Sequence, residues 1–317
     1  MTRHHPIFER FSRIGAWVDG ERRCNFLGAL SRCEWEPQVT STLLSSGATA
    51  LVNDDATLPH PLSEDYYEWI DLLMAVAEAG PRMVMVELGA GYGRWAMNCA
   101  MACRRVLGRE HPTALLIAVE GDQRRIGWLN EHFEMNGLRN DGDVGHQLIE
   151  AVVGRTAAPA VFAEGPLTDY GFGTARMTES ALRKVLASGA ERVGLRSPDL
   201  EYAGRVVTTR PLADILAIPN APVDYMSVDI QGAEADVIEG GIDSMNRLVR
   251  RVHIGTHGHD LEDRVHDCLV ANGWLITRFW RRHTDCHAEY GRFTTDDGMI
   301  AALNPRLVGS WPARSEC

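Results

Sequence analysis

The chain has 317 residues, 45% hydrophobic and 24% charged, a composition suited to one substantial α/β domain with an appendage. Its formal net charge of -11 repels phosphate backbones and anionic bilayers, which argues against nucleic-acid and membrane partners. The 7 cysteines form no CxxC pair, no apolar leader core follows Met1 and no run approaches a membrane span, so a reduced, cytoplasmic setting is expected.

Residues 1–60 read as irregular, with turn signals at Ser45-Ser46-Gly47 and Asn53-Asp54-Asp55 flanking a short strand over 48–52. Ser63 followed by Glu64 and Asp65 marks a helix start, because acids are favourable where backbone amides lack partners. Trp69, Leu72, Leu73 and Val76 then recur at helical spacing to about residue 79, where Gly80-Pro81 ends the helix. The expected division is an N-terminal extension over 1–80, its helix packing on the core, and a second domain over 81–317.

From residue 83 strand and helix patterns alternate. Strands are expected over 83–88, 114–119 and 147–153, with helices over 94–106 and 123–136, the latter stopped by Gly137. The alternation then breaks at an insertion over about 155–212, too long for a plain loop and β-like at Val161-Phe162 and over 205–209. It resumes with a strand over 223–229, a helix from Ala233, a strand over 251–256 and a helix over 261–271. Segments 274–280 and 299–303 read as a closing antiparallel pair. This order predicts an α/β, mostly parallel, doubly wound Rossmann-like sheet with its ligand at the carboxyl ends of the strands.

The most informative stretch is Val84-Met85-Val86-Glu87-Leu88-Gly89-Ala90-Gly91-Tyr92-Gly93-Arg94-Trp95. An apolar strand ends in an acid, three glycines follow at alternate positions, and a helix begins. Glycine permits the sharp turn and lets a ligand approach the backbone. Two nucleoside cofactors compete for such a turn. A dinucleotide fingerprint needs G-x-G-x-x-G, and Arg94 stands where its third glycine should be. The next strand-end acid is Glu120, placed to accept hydrogen bonds from both hydroxyls of a ribose. Acid-x-Gly-x-Gly-x-Gly with a second acid one strand later is the pattern of S-adenosylmethionine-dependent methyltransferases of the Rossmann-like class, which argues against a hydride-transfer enzyme.

The segments Val119-Glu120-Gly121-Asp122, Leu129-Asn130 and Met135-Asn136-Gly137-Leu138 resemble the corresponding part of the FkbM-type methyltransferases, which usually carry proline where Gly121 stands. The run from Ser227 through Val228-Asp229-Ile230-Gln231-Gly232-Ala233-Glu234 to Gly241 resembles the family's lysine-isoleucine-aspartate-valine-glutamate-glycine-alanine-glutamate signature. Residues 212–216 resemble the element before it. Asp297-Gly298 and Asn304-Pro305-Arg306-Leu307 are similar to a subgroup's tail. The resemblance spans about 82–260 and implies a class I methyltransferase fold.

It also implies roles. Glu87 is expected to reach the amino group of the cofactor's methionine part, directly or through water. The backbone of Gly89, Ala90, Gly91 and Gly93 is expected beneath that part. Glu120 is expected to hold the ribose, with Gly121 and Asp122 beside it, and Glu150 and Ala151 to lie near the adenine. Asp229, at the end of the fourth strand, is the first catalytic candidate, to orient an acceptor hydroxyl, take its proton or bind a metal. His257, at the end of the fifth, is the second, as general base. His253 reads as a satisfied core histidine, and Glu234 as an acid favoured in a helix's first turn. Gln231 replaces the family's usual glutamate and cannot act as a base or anionic ligand. A divalent metal held by Asp229, His257 and His259 is a minority reading, since their spacing matches no compact metal motif. Residues 160–205, with Tyr170-Gly171-Phe172-Gly173, form a candidate lid, and the helix at Tyr66-Tyr67-Glu68-Trp69 a candidate wall.

The expected function is O-methylation of a hydroxyl on a small-molecule or glycan acceptor, a sugar or secondary metabolite. N-methylation of a small molecule is one alternative, and a non-catalytic cofactor-binding protein of glycan or metabolite assembly is another. The sequence leaves self-assembly into a homo-oligomer open.

Overall fold

Apolar strands alternating with amphipathic helices assemble around one seven-stranded sheet in the computed structural model, which describes residues 4–36, 63–139, 142–164, 179–196 and 201–308. Before the sheet, three short antiparallel strands, β1 (Trp17–Val18), β2 (Arg22–Cys24) and β3 (Leu30–Arg32), form where the sequence reads as irregular. Strands of two or three residues are too short to show a period-2 signal. The strand expected over 48–52 lies outside the described residues. Helix α1 (Glu64–Glu78) follows, with Ser63 at its N-cap.

The central sheet begins with β4 (Arg82–Leu88), α2 (Arg94–Arg105), β5 (Thr113–Glu120), α3 (Gln123–Met135) and β6 (Val144–Glu150). The third central strand therefore starts and ends three residues earlier than the expected 147–153. Its half-polar sequence, packed on one side at an edge of the sheet, carries little register information. Val153 belongs instead to β7 (Val153–Gly154), which pairs with β11 (Arg210–Pro211) at the two ends of the insertion. Between them, β8 (Pro159–Glu164), helix α4 (Glu179–Ala187), β9 (Arg192–Arg196) and β10 (Glu201–Thr208) build a three-stranded antiparallel sheet in the order β8-β10-β9. Tyr170-Gly171-Phe172-Gly173 lies outside the described residues.

The main sheet resumes after α5 (Leu212–Leu216) with β12 (Tyr225–Val228), α6 (Glu234–Leu248), β13 (Arg251–Thr256), α7 (His259–Ala271) and β14 (Leu275–Trp280). A small hairpin of β15 (Asp285–Ala288) and β16 (Gly291–Thr294) precedes the last strand, β17 (Gly298–Leu303). The order is β14-β17-β13-β12-β4-β5-β6, with β17 antiparallel to both its neighbours. This is the class I methyltransferase arrangement, closing antiparallel pair included.

Alternation along each strand sends side chains to two opposite cores. Met83 and Met85 of β4 join Leu72, Leu73 and Ile70 of α1 and the Ala96–Ala100 face of α2. Val84, Val86 and Leu88 of the same strand join Ile238 and Met245 of α6 and Val265 of α7. Both faces of the parallel strands are covered, which is why those strands read as continuous apolar runs. No helix among the described residues is long and apolar enough to cross a membrane.

Candidate active site

A cavity of about 910 Å³ opens where β4, β5, β12 and β13 end. The glycine turn forms its floor. Gly89 has φ +76°, and a Cβ there would stand 1.7 Å from the Asp229 carbonyl oxygen, so this residue must be glycine for β4 and β12 to end side by side. Gly93, also left-handed at φ +81°, starts α2, and its absent Cβ makes room for Leu129 and Phe133 of α3. It contributes helix packing rather than cavity wall, unlike Gly89, Ala90 and Gly91, which line the cavity.

Two buried carboxylates brace this turn. Glu87 Oε1 and Oε2 accept the amides of Trp95 and Ala96, at 3.1 and 2.9 Å, satisfying otherwise unpaired N–H groups at the start of α2. Burial pushes its carboxyl up to about 8 despite those bonds. Glu120 Oε2 accepts from Gly91 N and Oε1 from Asp122 N, each at 2.7 Å. Burial raises this carboxyl as well. Each Glu120 oxygen keeps acceptor capacity toward the cavity that it lines.

Two expected neighbours sit elsewhere. Asp122 caps α3, its side chain accepting from Arg124 N at 2.9 Å, and does not line the cavity. Glu150 is an exposed strand end, 3.4 Å from Arg205, and also faces away. Ala151 does line the cavity, with Val152, Val153 and Phe162. Phe162 comes from the insertion, and its ring stands where a Gly121 Cβ would approach it to 2.9 Å. Arg205 of β10 ties the same wall down by donating to the Gly121 carbonyl at 2.6 Å. The result is an apolar slot beside the Glu120 carboxylate.

At the other end of the cavity, the structure brings the two catalytic candidates, Asp229 and His257, together. His257 Nδ1 donates to Glu234 Oε1 at 2.8 Å, and Nε2 faces Asp229 Oδ1 at 3.4 Å and Asp297 Oδ2 at 3.6 Å. Burial alone would lower the imidazole, but the bond to Glu234 and the nearby carboxylates lift it to about 9. Glu234 is fully buried, and both its oxygens also accept from Gly232 N. Its place in the first turn of α6 thus serves His257 directly, beyond any dipole effect. Gln231, in a left-handed conformation at φ 52°, donates its side-chain amide to Asp229 Oδ1 at 2.8 Å. Desolvation among the groups at this end of the cavity raises the Asp229 carboxyl and His257 opposes the rise, but the side chain is 59% exposed, so solvent limits the effect.

Asp229, Glu234 and His257 each place one ligand atom within 4.8 Å of the others and could hold a divalent cation. His259 does not join them; it is exposed and 2.9 Å from Glu262, so the Asp229–His257–His259 set is not assembled.

Sequence reasoning missed much of the wall opposite the turn. Glu36, Glu64, Asp65 and Glu68 line the cavity from the N-terminal segment. Arg94 joins them, bridging Asp65 at 2.7 Å and Glu36 at 3.6 Å. Glu36 is also bound by Arg23 and by the Tyr92 hydroxyl. Burial would raise its carboxyl, but Arg94 and Arg23 hold it down at about 2. Of this wall, Glu64, Asp65 and Glu68 belong to α1, the helix expected to border the site, while its Tyr66, Tyr67 and Trp69 pack in the core.

The fold and cavity define a class I, Rossmann-like methyltransferase. The chain belongs to the FkbM methyltransferase family: the Methyltransferase FkbM domain matches residues 99–270. A protein of Jannaschia sp. (strain CCS1) named "Putative methyltransferase" is 27% identical over 270 residues, covering 84% of this chain and 86% of that one. Among solved structures, the FkbM methyltransferase of Methylobacillus flagellatus KT is 14% identical with a TM-score of 0.39, covering 70% of this chain and 44% of that one. The precorrin-6y C5,15-methyltransferase of Geobacter metallireducens GS-15 is 12% identical with a TM-score of 0.40, covering 80% of this chain and 96% of that one.

Proposed function

We propose that the protein transfers a methyl group from S-adenosylmethionine to a hydroxyl of a sugar or secondary metabolite. The cavity suits this cofactor by the chemistry of its walls: an apolar slot at Val152 and Phe162 for a base, Glu120 for ribose hydroxyls, and further carboxylates for a cation. When bound, the cofactor would supply an electrophilic methyl group. The chain's part is to align the acceptor with it and to take a proton.

The observation that carries the choice of oxygen is the Glu234–His257–Asp229 array at the cavity wall. A hydroxyl must lose its proton as it is methylated. Glu234 fixes the imidazole so that Nε2 points toward Asp229 and the cavity edge, where the unprotonated ring can take that proton. Asp229, held by Gln231, orients the hydroxyl. The carboxylates around this end suit an acceptor rich in hydroxyl groups.

Calorimetry with S-adenosylhomocysteine and with NAD tests the cofactor, and tight binding of NAD alone would overturn the reading. Glu120→Ala is expected to abolish nucleoside binding while leaving the thermal melt cooperative. Asp229→Asn is expected to spare cofactor affinity and cut turnover about a hundredfold or more; unchanged turnover with hydroxylated acceptors removes Asp229 from the reaction. Chelator treatment separates the proton-transfer reading from a metal held by Asp229, Glu234 and His257.

A further inference from the structure

A polar row crosses the middle of the sheet. Glu87, Ser227 and His253 are register partners on β4, β12 and β13, so their side chains share the face covered by α1. All three are buried, and all three line the cavity. Parallel sheets covered on both sides are normally apolar there, so the row calls for a function.

Helix α1 lays two acids over it. Asp71 is fully engaged: His253 Nδ1 lies 3.2 Å from its Oδ2, and Arg278 donates to its Oδ1 at 2.5 Å. Glu68 is different. It is 8% exposed and lines the cavity, and its Oε1 accepts from Ser227 Oγ at 2.7 Å, with Tyr225 Oη at 3.5 Å. Its Oε2 has His253 Nε2 at 3.6 Å, beyond good hydrogen-bond distance. Glu87, the acid expected to meet the cofactor's amino group, commits one acceptor site on each oxygen to the amides of Trp95 and Ala96, which ties it to the start of α2.

We propose that Glu68, from the helix preceding the glycine turn, is the carboxylate that receives the amino group of the cofactor's methionine part, while Glu87 holds the start of α2. The assignment rests on the S-adenosylmethionine reading above. It gives α1 a direct part in cofactor recognition and explains why Ser227 occupies a sheet position otherwise suited to an apolar residue. Burial lifts the Glu68 carboxyl to about 7, and an arriving ammonium group would offset the cost of keeping it ionised.

The test compares S-adenosylhomocysteine, which carries the amino group, with 5′-methylthioadenosine, which lacks it, by titration calorimetry on the full chain. Glu68→Gln keeps an acceptor for Ser227 and removes the charge. It is expected to weaken S-adenosylhomocysteine about tenfold to a hundredfold and leave methylthioadenosine unchanged. Equal losses for both nucleosides, or no loss for either, would overturn the Glu68 assignment and leave the cofactor reading standing. A wild-type chain that binds neither overturns both. Should Glu68→Gln not fold, Glu68→Asp, which keeps the charge but withdraws it, carries the same comparison.

Discussion

At the scale of single residues, His257 makes the sharpest demand on pH. Held by Glu234, its imidazole loses the second proton near 9 rather than at the usual 6.5. A base must be unprotonated, so turnover should climb about tenfold per pH unit up to that region and then level off. A flat profile between pH 7 and 9 would exclude His257 as the base. Stability moves the other way. A histidine whose folded pKa is raised stabilises fully below 6.5, and that contribution fades as pH rises through about 9. Gly121 offers a second test. Proline, the usual residue of the family there, would press on the Phe162 ring, so Gly121→Pro should weaken S-adenosylhomocysteine, and adding Phe162→Ala should restore part of the loss by relieving the clash. Additive losses would show that the two residues do not communicate. Glu87, Glu120, Asp229 and His257 could be found in the sequence because each ends an apolar strand. Glu150 also ends a strand and Asp122 follows one by two residues, but Glu150 is exposed away from the cavity and Asp122 caps α3, and neither outcome is written in residue type alone.

At the scale of elements, the N-terminal segment and the glycine turn are locked together by the chain of groups Arg23, Glu36, Arg94 and Asp65, with Tyr92 bound to Glu36. The Glu36 side chain is 12% exposed, so removing its charge takes the carboxylate from Arg23 and leaves Arg94 to its pair with Asp65. Glu36→Gln is expected to cost about 3 kcal/mol in chemical denaturation, within the range seen when one partner of a buried pair is lost. A change below about 0.5 kcal/mol would show that the cluster behaves like a surface pair. With a folded pKa near 2, Glu36 stabilises above 4.5, and that support is lost as pH falls toward 2. Helices and central strands were legible because their periodicity is sustained. The β1–β3 sheet, the β15–β16 hairpin and the true edges of β6 were not, because short or half-polar strands are fixed by their tertiary partners rather than by pattern.

At the scale of the whole molecule, the site gathers residues from nearly the full length of the chain, from Glu36 to Met299. Glu64, the first residue of α1, accepts the backbone amides of Asp296 at 2.8 Å and Asp297 at 3.2 Å, fixing the loop that presents Asp297 to His257. Such juxtapositions could not be read from a single sequence, since they depend on which elements the topology brings together. The position of β17 has a consequence for how the protein is made. This last strand lies between β13 and β14, both synthesised before it. As the chain leaves the ribosome, β14 has no hydrogen-bonding partner in the sheet until residues 298–303 emerge and insert beside it. A nascent chain stalled before Gly298 would present two open strand edges, and chaperone capture or aggregation should peak at that length and fall once the final strand is complete.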